Sequence, residues 1–118
     1  MRVIPGTHHG SGFSDYEPVD PKTHVFRSRI KPGQFDESKA VNLEIKSGEC
    51  HVHHARLIHG SEANKSPKRR CGYTMRYMPT SVKFHTESIK WKRPHVIYLA
   101  RGRDLAGNQY GDPTKSVM

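Results

Sequence analysis

Apolar residues along this chain come in short runs separated by long polar stretches, and the readable period is two. Met1-Arg2-Val3-Ile4 reads as a strand already under way that runs into a Pro5-Gly6 turn. Val41, Leu43 and Ile45 alternate with Asn42, Glu44 and Lys46, which predicts a strand with one wet face, ended by Ser47-Gly48-Glu49. Residues 51–59 alternate poorly, yet Val52, Leu57 and Ile58 suit a partly buried strand. Residues 62–68 are turn formers. Residues 70–78 then predict a second strand, with Arg70, Gly72, Thr74 and Arg76 on one face and Cys71, Tyr73, Met75 and Tyr77 on the other. Residues 95–100 predict a last strand, followed by a turn-rich tail. Residues 10–40, punctuated by glycines and prolines, predict a long connection with one short strand near His24-Val25-Phe26. The predicted fold class is all-β.

Length and charge narrow the picture. At 118 residues the chain is at most one domain. With 20 Lys and Arg against 11 Asp and Glu the net charge is +9, and only 33% of residues are hydrophobic. A chain this size buries only about two-thirds of its unfolded surface, so some apolar surface is expected to await another segment. No run approaches the roughly 18–20 apolar residues of a membrane span, and no signal peptide opens the sequence. Cys50 and Cys71 form neither a Cys-x-x-Cys motif nor a disulfide framework, so a reducing cytoplasm is the expected setting. Lys83, Lys90, Lys92 and Arg93 interleave with Phe84 and Trp91, a composition that could meet nucleic acid. A solvated connector with two packed rings accounts for it more simply.

The chemistry is concentrated in one stretch. Four of the nine histidines (His51, His53, His54 and His59) fall within nine residues, and Arg70 lies eleven positions after the last of them. An antiparallel pairing of 51–59 with 70–78 would set His59 and Arg70 side by side, roughly 5 Å apart. An imidazole nitrogen suits Fe(II), and a guanidinium fork suits a carboxylate. A pocket holding both could take a metal together with an acid that also binds the metal.

At these residues a resemblance becomes specific. The run His54-x-x-Leu57-Ile58-His59-Gly60-Ser61, followed by Asn64, Ser66 and Arg70, resembles the C-terminal signature of the phytanoyl-CoA dioxygenase family. Its members are Fe(II)- and 2-oxoglutarate-dependent oxygenases on a double-stranded β-helix, the cupin-like jelly roll. Pro5-Gly6-Thr7-His8 is similar to that family's Pro-Gly-Ser/Thr-His segment, and the order of the two motifs also fits. The resemblance implies that His59 is the distal iron ligand. It implies that Arg70 holds the far carboxylate of 2-oxoglutarate, with Ser61 assisting. His54 falls where the family commonly carries a histidine of structural or outer-shell role, and His8 and Thr7 belong to a segment that approaches the active site.

In that family a His-x-Asp pair supplies the other iron ligands, shortly upstream of the strand that Arg2 opens. No His-x-Asp stands in these 118 residues. His85-Thr86-Glu87 is the nearest approach, but it follows His59 where the family's pair precedes it. His51 and His53, with His59, would make a cupin-like metal site unaided, a reading that leaves Arg70 unused. The expectation is therefore one partial domain over 1–118, the later strands of a jelly roll. Residues 10–40 would be its loop insertion, 41–78 its metal and 2-oxoglutarate strands, and 79–118 its last strand and tail. The implied function is that of a fragment of an Fe(II)/2-oxoglutarate dioxygenase that hydroxylates a small organic molecule, inactive alone. The implied partners are a small-molecule substrate, O2 and the missing N-terminal half, with no membrane and no nucleic acid. A non-catalytic remnant and a small basic nucleic-acid-binding protein are the alternatives.

Overall fold

Val3 and Ile4 are the residues around which the first part of the chain closes, at 7% and 6% exposure the buried hydrophobics among the described residues. The structure is a computed structural model and describes residues 1–10, 12–85 and 95–115. It divides into two compact units, Met1–Arg70 and Cys71–Met118.

In the first unit, strand β1 (Arg2–Val3) is central in a three-stranded sheet ordered β4-β1-β5. On one side lies β4 (Val41–Asn42), antiparallel, with Val3 opposite Val41. On the other lies β5 (His59–Gly60), also antiparallel, with Val3 opposite His59 and Arg2 opposite Gly60. One further bond extends each ladder. Leu43 N donates to the Met1 carbonyl at 2.8 Å, and Ile4 N donates to the Ile58 carbonyl at 2.9 Å. The strand stops at Pro5-Gly6, where Gly6 takes the left-handed conformation (φ 80°) and starts a 3-10 turn over Thr7–His9.

A second antiparallel ladder pairs β2 (Tyr16–Pro18) with β3 (Ser28–Ile30), held also by an Arg29–Glu17 ion pair at 2.7 Å. The short strand expected near His24-Val25-Phe26 is absent. Those residues form the exposed end of the hairpin, and the strands flank them. Thr23 and His24 turn back onto the Asp20 carbonyl, which spends the backbone donors that a strand would need.

The hairpin expected between 51–59 and 70–78 is also corrected. Leu57 N donates to the His54 carbonyl at 3.0 Å, so residues 54–57 close a turn where a strand was expected. Only His59–Gly60 joins a ladder, and its partner is β1. Residues 70–78 carry no ladder among the described residues. The strand expected over 41–46 shortens to Val41–Asn42 for the same reason, since nothing described pairs with 44–46.

In the second unit the tail is tied locally. The Asp104 carboxylate accepts from Ala106 N, Asn108 N and the Tyr110 hydroxyl at 2.8–3.2 Å. Asn108 reaches the segment before it, accepting from Phe84 N at 2.8 Å and donating to the Val82 carbonyl at 2.9 Å. Of the last strand predicted over 95–100, the described residues keep the backbone bond from Gly111 N to the Ile97 carbonyl at 2.8 Å. Thr86, Glu87 and the Lys90–Arg93 positions weighed above lie outside the described residues. The architecture is thus short antiparallel strands, with no α-helix and no closed barrel among the described residues. Among the described residues no helix is long and apolar enough to cross a membrane.

Candidate functional site

His59 is placed by β5, one residue beyond the point where Ile58 bonds to β1. Its Nδ1 lies 2.8 Å from the Leu57 carbonyl. A carbonyl can only accept, so Nδ1 carries a proton, and in the neutral imidazole it is Nε2 that keeps a lone pair. This is the arrangement in which an imidazole is oriented by its own backbone and free to bind a metal through the other nitrogen.

The sheet reaches this point through Thr7. Where β1 ends, the Thr7 hydroxyl donates to the Ile4 carbonyl at 2.8 Å and accepts from Ile58 N at 3.0 Å. One hydroxyl thereby replaces a ladder step that Pro5 and Gly6 cannot supply. Beside it is a depression of about 70 Å³, walled by Phe13, Tyr16 and Ile30 and bordered by Thr7, Arg56 and His59.

Around this centre the histidines form two groups. His51 stacks on His53 with ring centroids 5.3 Å apart, and His53 meets His59 edge-on at 4.9 Å. Burial, followed by repulsion from His59 and His51, holds the His53 pKa below its ordinary value. His8 packs on His9 at 3.8 Å and faces His54 at 5.8 Å. Its Nδ1 is shielded from solvent with no hydrogen-bond partner. Burial lowers the His8 pKa, and the neighbouring His9, His54 and Arg56 lower it further.

Ser61 follows β5 directly and is exposed. Arg70 is exposed and makes no hydrogen bond or ion pair with the described residues, so it does not stand opposite His59 in a ladder. Asn64 and Ser66 shape the loop between them. Asn64 Nδ2 donates to the Lys68 carbonyl at 2.7 Å, and the Ser66 hydroxyl donates to Asn64 Oδ1 at 2.8 Å. Arg2 pins the start of that loop through Glu62 at 2.6 Å and also holds Glu37 at 3.0 Å.

The donor set can be tested against Fe(II). His59 has the chemistry and tautomer of one ligand. Among the described residues, however, no group of three or more His, Cys, Asp and Glu side chains is gathered to hold a metal, His51, His53 and His59 included. The residues therefore fit one position of a two-histidine, one-carboxylate site and do not complete it. Sequence reasoning overlooked Arg56, whose Nη1 donates to the Gly10 carbonyl at 2.8 Å. The signal available was its place two residues after His54, with a turn rather than a strand between them.

A family model described as phytanoyl-CoA dioxygenase matches residues 1–72. A phytanoyl-CoA dioxygenase domain-containing protein 1 homolog of Caenorhabditis briggsae is 33% identical over 84 residues, covering 66% of this chain and 28% of its own length. The homolog of the same description in Dictyostelium discoideum is 30% identical over 94 residues, covering 77% of this chain and 33% of its own length. The chain thus spans about a third of the length of these curated relatives. No solved structure matches.

Proposed function

Given that the chain belongs to the phytanoyl-CoA dioxygenase family, we propose that it is the later part of a non-haem Fe(II)- and 2-oxoglutarate-dependent dioxygenase domain. The observation that carries this reading is His59 itself. It sits in the His-Gly-Ser run, fixed by β5, with Nδ1 tied to the Leu57 carbonyl and Nε2 left with its lone pair for a metal. Iron, when bound in such a domain, supplies the oxidising chemistry, and the protein orients the partners around it.

In this reading His59 gives one iron ligand, and the remaining donors come from elsewhere in a family domain. Arg70 binds the far carboxylate of 2-oxoglutarate through its fork, with Ser61 beside it. Thr7 positions the backbone of Ile58 and so the ligand that follows it. His8 and His54 line the approach. The whole chain acts as one partial domain of a jelly roll, with residues 10–40 inserted between strands. Its substrate is a small organic molecule, O2 is the co-substrate, and the cytoplasm is its setting.

The test uses a full-length relative into which residues 1–72 of this chain are grafted. A charge-assisted Arg–carboxylate pair contributes about 1.5–3 kcal/mol, so Arg70→Ala there is expected to weaken 2-oxoglutarate at least roughly tenfold. The same affinity in the variant and its parent overturns the assignment. The 118-residue chain alone is expected to make no succinate from 2-oxoglutarate, and turnover by it would show that its own residues complete the site.

A further inference from the structure

The histidine group on the other side of Thr7 does no more than line the approach in that reading. His8, His9, His54 and Arg56 bring four groups that carry or can acquire positive charge onto one side of the 3-10 turn. The ring centroids are 3.8 Å apart between His8 and His9, and 5.8 Å between His8 and His54. Arg56 is held over the end of the same turn by its bond to the Gly10 carbonyl, and its backbone N–H donates to His54 Nδ1 at 3.2 Å. None of the groups that act on His8 is a carboxylate: burial, His9, His54 and Arg56 all press it toward the neutral form.

Two features of this arrangement call for a ligand. First, His8 Nδ1 is shielded from water and bonds to nothing, a state that buried polar atoms rarely keep. Second, Arg56 uses one Nη1 bond of a five-donor guanidinium, and it also borders the depression beside His59. We propose that His8, His9, His54 and Arg56 form a binding site for a small oxoanion, a phosphate or carboxylate group carried by a ligand. The oxyanion would accept from imidazole N–H groups and from the guanidinium fork, giving short charge-assisted bonds. It would also offset the repulsion among the four groups. The site uses neither Arg70 nor Ser61 and does not depend on iron at His59.

The experiment is a titration of the whole 118-residue chain with inorganic phosphate at pH 6, followed through the histidine Cε1–H resonances by two-dimensional NMR. A parallel titration uses succinate, and sodium chloride at matched ionic strength is the control. The expected result is saturable movement of the His8 and His54 signals with phosphate or succinate and not with chloride. The His8 titration midpoint should move upward in the bound state. Binding to phosphate alone points to a phosphorylated ligand, and binding to succinate alone to a carboxylate. Arg56→Met is expected to weaken binding roughly tenfold, by loss of the fork. Since Arg56 also ties the turn, His9→Gln, at an exposed position, serves as a second variant with an expected loss of at least about threefold. The Val3 and Ile4 methyl signals report whether each variant keeps its fold. Shifts that merely track ionic strength, or saturable binding unchanged in folded His9→Gln, overturn the proposal.

Discussion

One hydroxyl, that of Thr7, joins two parts of the first unit 51 residues apart in sequence. It accepts from Ile58 N and donates to the Ile4 carbonyl in part-buried surroundings, and the Ile4 carbonyl also accepts from Thr7 N at 3.4 Å. Thr7→Val keeps the shape and removes both bonds, leaving the Ile58 N–H unsatisfied. The expected cost is about 1–3 kcal/mol, read as a lower denaturation midpoint and faster amide exchange at Ile58. Thr7→Ser should restore most of it, and an unchanged midpoint in Thr7→Val would show that water replaces the hydroxyl. His8, the next residue, ties stability to pH. Its folded pKa lies below the 6.5 of a free histidine, because of burial and the neighbouring His9, His54 and Arg56. As pH falls below 6.5 the unfolded chain therefore takes up the proton first. The first unit should hold its full stability above pH 6.5, lose it as pH drops, and level off below the folded pKa. His53, shifted the same way, adds to the slope. Chemical denaturation at pH 8 and pH 5 measures the difference, which should shrink but not vanish in His8→Gln; an equal difference in the variant would deny His8 its part.

At the scale of elements, what could be read from the sequence was what depends on neighbours along the chain. Met1–Ile4 reads as a strand, and Arg2–Val3 within it is one. Pro5-Gly6 reads as a turn, and the chain needs a positive φ there. Ser47-Gly48-Glu49 likewise turns, with Gly48 at φ 89° and Glu49 N bonded to the Lys46 carbonyl at 3.1 Å. The misreadings share one physical origin: a strand exists only when another chain segment takes its hydrogen bonds. Residues 70–78 alternate cleanly, yet alternation describes a surface suited to a ladder and cannot supply the partner. Conversely, Tyr16–Pro18 and Ser28–Ile30 are polar or proline-bearing and carry no such pattern. They pair because Asp15 and Lys31 close the ladder, Arg29 meets Glu17, and Gln34 bonds Asp15 on both N and O. For the site, the motif singled out residue types and could not say where the chain places them. His59 was identified by its motif, but its partner across the sheet is Val3, because the turn at His54–Leu57 takes the backbone bonds that a hairpin to Arg70 would have required.

For the whole molecule, the question is what covers its apolar side chains. Val3 and Ile4 are buried, while Val25, Phe26, Val52, Tyr73, Met75 and Tyr77 are each more than 60% exposed. Exposed hydrophobics scattered singly are ordinary, but Tyr73, Met75 and Tyr77 alternate along a segment that has no ladder partner among the described residues. Hydrophobic composition of 33% with a net charge of +9 leaves little to drive collapse and adds self-repulsion. This chain aligns with 28% and 33% of the curated relatives, so the rest of such a relative can be tried as a source of a ladder partner for residues 70–78. Refolding this chain together with that portion of the Dictyostelium relative should give a complex in which the amides of 70–78 gain protection from hydrogen exchange. Binding of an apolar dye to the mixture should fall below the sum of the two parts. Arg70 and Ser61 would be fixed in the same step, since they flank the loop that the new ladder would close. A complex that forms and leaves 70–78 unprotected would show that this segment does not serve as a strand of the family domain. Arg70 would then lose its structural support as the residue that holds 2-oxoglutarate, whatever iron does at His59.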